Sequence, residues 1–344
     1  MTREIATHRP RWVARKRHWI PVALLAAGLA MTLFATVSPW PSVWVLRAVF
    51  DSQANETVAE MNKYAPTDGI AATLDVQYAA RGADTTFDIF SPSTSTGPLP
   101  AVIWVHGGAW VSGDKATRDP YARILAAEGY TVASLNYTVA PDATYPTAIT
   151  QLNDALGYIV DHAADLRVDP DRIVLAGDSA GGQLVSQLAT MITSEPYAAA
   201  VGIAPTLRAE QVRGVMLNCG VYDVKGIPDV PGIVGWGFRS ALWAYIGTKD
   251  WSDTTGDQQM STIDDVTGDF PTTWISGGNG DPLTATQSKP MAAQLKSVGV
   301  DVTELFFPDD TTPALQHEYQ FHLDNPNAQK ALTSTLDWLA TVTT

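Results

Sequence analysis

Cysteine is nearly absent from this chain: Cys219 is the only one among 344 residues. One thiol cannot form an intramolecular disulfide, and it excludes metal clusters that need several cysteine ligands. Because Cys219 comes two residues after the apolar run Val215-Met216-Leu217, we predict that its thiol is buried.

Basic residues are also scarce. The chain has 22 Lys and Arg against 36 Asp and Glu, which gives a formal net charge of -14. Proteins that neutralise nucleic-acid phosphates carry clustered Lys and Arg instead, so we expect no nucleic-acid partner. The hydrophobic content of 45% allows a large core, and the length suits one large α/β domain with insertions.

The N-terminus combines a basic segment with a long uncharged run. Six basic residues precede the 18 uncharged residues of 20–37, a length that crosses a bilayer with the basic flank on the cytoplasmic side. A cleaved signal peptide has the same pattern. We favour an uncleaved anchor because Ala35-Thr36-Val37 does not form a small-x-small cleavage site. We expect 1–18 to be cytoplasmic, 19–40 to span the membrane, and the rest to lie outside the cytoplasm, or to be secreted if the segment is cleaved.

The segment 41–70 is predicted to hold one or two amphipathic helices that act as a lid or linker. Its apolar residues recur at roughly helical spacing; they are Val43, Leu46, Val49, Phe50, Val58 and Met61. They suit a helix that packs over the main domain or lies along the membrane.

Residues 71–344 read as an α/β domain. An antiparallel hairpin at 73–78 and 85–90 is followed by strands that alternate with helices, which implies a mostly parallel eight-stranded sheet flanked by helices. The six further predicted strands are 101–105, 131–136, 173–176, 212–218, 272–276 and 302–307. An insertion at about 222–269, rich in Gly, Pro and aromatic residues, is either a second part of the lid or an irregular segment with its own small core.

The stretch Gly177-Asp178-Ser179-Ala180-Gly181 ends a β-branched strand and precedes a helix. This order predicts a nucleophile elbow, in which the serine sits on a turn so tight that a Cβ at either glycine would collide. A second glycine turn, His106-Gly107-Gly108, ends another core strand and would point N–H groups at a ligand. The alternative for that turn is an ordinary strand end in which His106 bonds a neighbouring carbonyl. Both motifs lie at carboxyl ends of strands, where ligands bind in such sheets.

A serine nucleophile needs a histidine base and a carboxylate to orient it. Four of the six histidines are excluded by their position: His8, His18, His106 and His162. Of the other two, we favour His317, which follows the loop after the last strand, over His322. For the carboxylate we favour Asp281, since the chain order is then Ser, Asp, His.

Three other carboxylates remain as alternatives to Asp281. They are Asp223, Asp309 and Asp310. A plain turn role for Asp281 also stays open.

With these residues in place, positions from about 74 to 340 resemble the hormone-sensitive-lipase-like branch of the α/β-hydrolases, of the bacterial carboxylesterase type. The resemblance is carried by His106-Gly107-Gly108-Ala109-Trp110, Asn136-Tyr137-Thr138-Val139-Ala140-Pro141, Gly177-Asp178-Ser179-Ala180-Gly181-Gly182, Asp281-Pro282-Leu283 and His317. It implies an oxyanion hole from the N–H groups of Gly107, Gly108 and Ala180. Ala109 stands where the family commonly has a third glycine, which would narrow the range of alcohols accepted.

The expected activity is hydrolysis of small to medium carboxylic esters through an acyl-enzyme, with no metal and no cofactor. A peptidase or amidase on the same fold and a non-catalytic binding protein are the alternatives. All three candidate catalytic residues are present, which disfavours the non-catalytic binding protein.

Overall fold

An eight-stranded sheet forms the centre of the computed structural model, which describes residues 11–80, 82, 84–227 and 232–344. Residues 1–10 of the predicted cytoplasmic segment and 228–231 of the insertion lie outside the described residues. The strands are β1 (Ile70–Gln77), β2 (Thr86–Pro92), β3 (Leu99–Val105), β4 (Thr131–Leu135), β5 (Val168–Asp178), β6 (Val212–Asn218), β7 (Thr273–Gly277) and β8 (Val302–Phe306).

The strand order is β1-β2-β4-β3-β5-β6-β7-β8. β2 pairs antiparallel with β1 and β4, and all later pairs are parallel. The mostly parallel eight-stranded sheet predicted from the sequence is therefore confirmed, with the hairpin at one edge. Ser179 follows β5 near the middle of the sheet.

Helices cover both faces of this sheet. They are α3 (Asp119–Ala127), α4 (Thr147–Asp161), α5 (Ala163–Leu166), α6 (Ala180–Thr193), α7 (Glu195–Val201), α8 (Gly232–Ile246), α9 (Thr255–Met260), α10 (Lys289–Ser297) and α11 (Pro326–Val342). Because successive side chains of a strand point to opposite faces, Val102 and Trp104 of β3 join one apolar core and Ile103 and Val105 join the other. A strand buried on both faces has to be continuously apolar, as 101–105 is.

Two N-terminal helices precede the sheet: α1 (Arg11–Val37) and α2 (Trp40–Met61). The window Ile20–Val37 of α1 has a mean hydropathy of 2.1, and none of it is buried in the protein. By length and composition α1 can cross a membrane. α2 is a single helix where the sequence allowed one or two, and it buries Val43 and Leu46.

α2 packs beside α8, the main helix of the insertion. A Cβ built on Gly237 of α8 would lie 3.4 Å from Leu46 Cδ2, which places the Leu46 side chain against the backbone of α8. The insertion was predicted only as irregular or lid-like, and the structure shows that it holds two helices, α8 and α9.

Candidate active site

Ser179 lies between β5 and α6 with φ +52° and ψ -119°, a conformation that a non-glycine residue adopts only under strain. Two glycines make this turn possible. A Cβ on Gly177 would lie 2.4 Å from the carbonyl oxygen of Gly181, and a Cβ on Gly181 would lie 2.1 Å from the carbonyl oxygen of Val105. The collision expected from the sequence is thus present at both positions.

The structure brings Ser179, His317 and Asp281 together from three separate loops. His317 Nε2 lies 3.0 Å from Ser179 Oγ, and His317 Nδ1 lies 2.7 Å from Asp281 Oδ2. The other oxygen of Asp281 accepts a hydrogen bond from the Leu283 N–H at 2.9 Å. The carboxylate therefore has a fixed orientation, and it faces the ring nitrogen remote from the serine.

The alternative residues lie elsewhere. His322 Nδ1 lies 3.0 Å from Glu60 of α2, and the side chain of Asp309 is 97% exposed. Asp223 is partly buried, and its N–H and carbonyl groups bond the side chain of Gln287.

Asp281 controls the charge state of His317. Burial opposes protonation of the imidazole, but the charge of Asp281 and its hydrogen bond outweigh burial and raise the pKa of His317 to about 9. A histidine held in this way is a strong base when it is neutral. The side chain is 37% exposed, so a substrate can reach it.

The three predicted oxyanion donors do not behave alike. The Gly107 N–H already donates to Asp178 Oδ2 at 2.8 Å. Among the residues that the structure describes, the N–H groups of Gly108 and Ala180 donate to no other residue. Gly108 has φ +107°, and a Cβ there would lie 2.2 Å from the carbonyl oxygen of Ser112. Gly107 therefore fixes the turn, while the other two N–H groups remain available to a ligand.

His106 follows the structural alternative considered for it. Its Nδ1 lies 2.7 Å from the carbonyl oxygen of Gly107, so Nδ1 carries the donated proton, and its ring stacks on Tyr137 with centroids 4.5 Å apart. Burial lowers the pKa of His106, which keeps the ring neutral. The His106 side chain therefore supports the glycine turn through its bond to the Gly107 carbonyl.

A cluster of three charged residues, of which Arg118 and Asp178 are buried and Glu318 is partly buried, lies behind the site, and sequence reasoning missed it. Arg118 donates through Nε and Nη2 to the two oxygens of Asp178, at 2.9 and 2.6 Å, and through Nη2 to Glu318 at 3.1 Å. Asp178 precedes the candidate nucleophile and Glu318 follows the candidate base. Arg118 therefore ties the serine loop to the histidine loop.

The electrostatics of this cluster agree with its geometry. Burial alone would raise the pKa of Asp178, but the guanidinium of Arg118 holds it well below its usual range. Burial and the nearby Asp178 charge raise the pKa of Glu318. The Trp104 indole N–H also donates to Asp178 at 2.7 Å, so both oxygens of this buried carboxylate have partners.

α2 and α8 contact residues close to the glycine turn. Arg47 of α2 donates to the carbonyl oxygen of Val111 at 2.7 Å and to that of Ala140 at 3.0 Å. Tyr245 of α8 stacks on Trp110, with ring centroids 5.5 Å apart. Both helices therefore border the site.

One group of side chains near the site has the atom types that bind metal ions. Within the described part of the chain, Cys219, Asp281 and His317 bring ligand-type atoms within 4.8 Å of one another. Burial raises the pKa of Cys219 well above its ordinary value, so its thiol stays protonated and is a poor ligand. Cys219 is fully buried, as predicted, and the other two residues already bond each other.

Comparison with known proteins gives one family match and several relatives. The BD-FAE family model matches residues 87–295. Carboxylesterase NlhH of Mycobacterium tuberculosis is 36% identical over 126 residues, which cover 36% of this chain and 40% of the relative. An arylesterase of Saccharolobus solfataricus is 35% identical over 135 residues, 39% and 43% of the two chains. Kynurenine formamidase of Drosophila melanogaster is 27% identical over 178 residues, 48% and 56%.

The chain thus spans about two fifths of the length of the first of these relatives. Among solved structures, esterase B from Lactobacillus Rhamnosis superposes with a TM-score of 0.77 at 22% identity, over 89% of this chain and 96% of that one. An esterase from Pyrobaculum calidifontis gives 0.70 at 22% identity, over 88% and 94%. The chain belongs to the BD-FAE family, in the hormone-sensitive-lipase-like carboxylesterase branch of the α/β-hydrolases.

Proposed function

We propose that this protein is a serine carboxylic ester hydrolase. The observation that carries the proposal is the continuous hydrogen-bond chain from Ser179 through His317 to Asp281. The esterase names of the relatives and the family match support the reaction class.

The proposed reaction has two halves. Ser179 Oγ attacks the ester carbonyl carbon while His317 Nε2 takes the hydroxyl proton, and the N–H groups of Gly108 and Ala180 bind the oxyanion. The tetrahedral intermediate then expels the alcohol, which receives that proton from His317. A water molecule, deprotonated by His317, attacks the acyl-enzyme, and the second tetrahedral intermediate expels Ser179 Oγ, which takes the proton from His317 as the acid is released. Asp281 stabilises the imidazolium in each half.

The proposal extends to the substrate and to the location of the enzyme. We assign small to medium acyl esters as substrates, with the alcohol side narrowed by the Cβ of Ala109. α1 serves as a membrane anchor with the catalytic domain, 71–344, outside the cytoplasm, and 41–70 and the insertion at about 222–269 form the lid.

An amidase is the second candidate, because one relative is named a formamidase. The same three residues would attack an amide, but the leaving nitrogen needs protonation before the C–N bond breaks. Rates measured on an ester and on the amide of the same acid separate the two activities.

The direct test is Ser179→Ala, assayed with a chromogenic short-chain ester. We expect kcat to fall by about 10⁴-fold or more, because without the nucleophile only binding and the oxyanion hole remain. Ser297→Ala, at an exposed position of α10, is the matched control and retains full activity. Undiminished turnover by Ser179→Ala would refute the proposal.

A further inference from the structure

The outward face of α2 is apolar and largely exposed; among the described residues, Trp44 at its start packs against Phe34 of α1. Trp44, Val45 and Val49 are exposed there, Val45 to 53%, whereas Val43 and Leu46 on the opposite face are buried. Single exposed apolar residues are common in soluble proteins, but a contiguous set of this kind marks an interaction surface.

α8 extends the same surface. Ile233 is 80% exposed, and Val234 and Trp236 beside it are exposed as well. Because α2 and α8 pack together through Leu46 and Gly237, the two exposed sets lie on adjacent helices. We call Trp44, Val45, Val49, Ile233, Val234 and Trp236 the docking surface, and none of these six residues carries a charge.

The position of α1 indicates what covers this surface. Only two residues separate the end of α1 at Val37 from the start of α2 at Trp40. At 1.5 Å per residue, Trp44 lies within about 10 Å of the end of the apolar helix. If α1 spans a bilayer, the docking surface has to lie at the level of the lipid headgroups.

The residues where α1 meets α2 suit the level of the lipid headgroups. Trp44 packs against Phe34 of α1 and against Trp40, with ring centroids 6.2 Å apart in both pairs. Tryptophans concentrate at membrane–water interfaces because their rings are apolar and their N–H groups are polar. A groove of about 830 Å³ between α1 and α2, lined by Met31, Trp44, Val45 and Val49, is open to lipid chains.

We propose that the docking surface binds the lipid bilayer and turns the mouth of the Ser179 site toward it, so that the enzyme takes esters dissolved in the membrane. The inference rests on the proposed anchor and the proposed esterase activity. The same two helices contact the residues that follow the glycine turn, α2 through Arg47 to Val111 and α8 through Tyr245 to Trp110. A second copy of the chain is a less suitable occupant, because each copy carries a net charge of -14.

The first test places nitroxide spin labels on the full chain in phosphatidylcholine vesicles, through the variants Val45→Cys and Ile233→Cys. Asp337→Cys, at an exposed position of α11, is the control, and the native Cys219 is buried. We expect labels 45 and 233 to collide more with oxygen, which dissolves in lipid, and less with a water-soluble nickel complex than label 337. Equal collision with the nickel complex at all three positions would overturn the proposal, as would short label-to-label distances between two copies.

The second test compares two substrates in one sample. For each variant we take the rate on a long-chain ester held in vesicles divided by the rate on a water-soluble short-chain ester. This ratio should fall about tenfold or more in the double variant Val45→Glu/Ile233→Glu relative to the unsubstituted protein, since charges at the interface oppose binding. Leu74→Glu, at an apolar position of β1 that is 53% exposed, is the matched control and should leave both rates unchanged.

These outcomes separate the three proposals. If the unsubstituted protein hydrolyses neither ester, the esterase proposal fails, and the spin labels still test docking. If it does not sediment with vesicles, the anchor fails. If it hydrolyses both esters and the double variant has the same ratio of rates, docking alone is wrong.

Discussion

Two regions near the Ser179 site differ in chemistry. The region behind the serine, called the back here, is polar and buried, and the region formed by α2 and α8, called the front, is apolar and exposed. Behind the serine, Asp178, Arg118 and Trp104 are buried, and their polar groups bond one another. In front, α2 and α8 expose apolar side chains that bond nothing in the described part of the chain. The hydrogen bonds at the back hold the side chains in fixed positions, which the chemistry requires. The apolar surface at the front makes no directional contacts, which suits a fluid partner such as a lipid bilayer.

The largest expected effect lies at the back of the site. Asp281→Asn keeps the shape of the side chain but removes the charge that orients and stabilises the His317 imidazolium, so we expect kcat to fall by about 10⁴-fold. Steady-state kinetics on a soluble ester measure this. Asp309→Asn, at the exposed alternative position, should retain full activity. Equal rates for the two variants would contradict the assignment of Asp281.

The buried charge cluster should dominate stability. Arg118→Met leaves Asp178 buried without its partner, and breaking such a pair costs about 3–5 kcal/mol of unfolding free energy. Urea unfolding of the full chain in detergent measures the loss. The exposed pair Arg208–Asp171, 3.6 Å apart, supplies the control Arg208→Met, which should cost less than about 1 kcal/mol. A similar cost for both variants would show that the cluster does not support the site.

The pH dependence of the reaction tests the charge state of His317. His317 acts as a base only when it is neutral, and its pKa is raised to about 9. We expect kcat/KM for a soluble ester to rise tenfold per pH unit on the acid side and to level off near pH 9. A profile that is flat from pH 6 to 9 would be inconsistent with this charge state.

The smallest expected effect on stability comes from removing an exposed ion pair of α2. Arg47 and Asp142 form an ion pair at 2.8 Å whose side chains are 28% and 50% exposed, and such pairs contribute less than about 1 kcal/mol. Asp142→Ala should therefore change the urea midpoint little, because Arg47 still donates to two carbonyl oxygens. A loss above about 2 kcal/mol would mean that the pair anchors α2.

The features of this molecule that could be predicted from the sequence are those that local patterns encode. The core strand 101–105 is a continuous apolar run, and the elbow at Ser179 needs glycines at fixed offsets. The scarcity of histidines left two candidate bases. Each of these signals lies within a short stretch of the chain.

The remaining features depend on contacts that no local pattern records. Arg118 meets Asp178 across 60 positions and Glu318 across 200, and nothing near Arg118 indicates either partner. The bond from Gly107 to Asp178 is equally remote, so the three glycine-turn donors looked equivalent. α8 went unpredicted because its Gly-rich start hides a helix that packing against α2 stabilises.

The central claim is that Ser179, His317 and Asp281 act as one unit. The most direct measurement is covalent labelling of the full chain with a fluorophosphonate, followed by peptide mass spectrometry, in the unsubstituted protein and in His317→Ala. We predict a single adduct on Ser179, and a labelling rate at least about 10³-fold lower in the variant. An adduct on another serine, or equal rates with and without His317, would contradict the account.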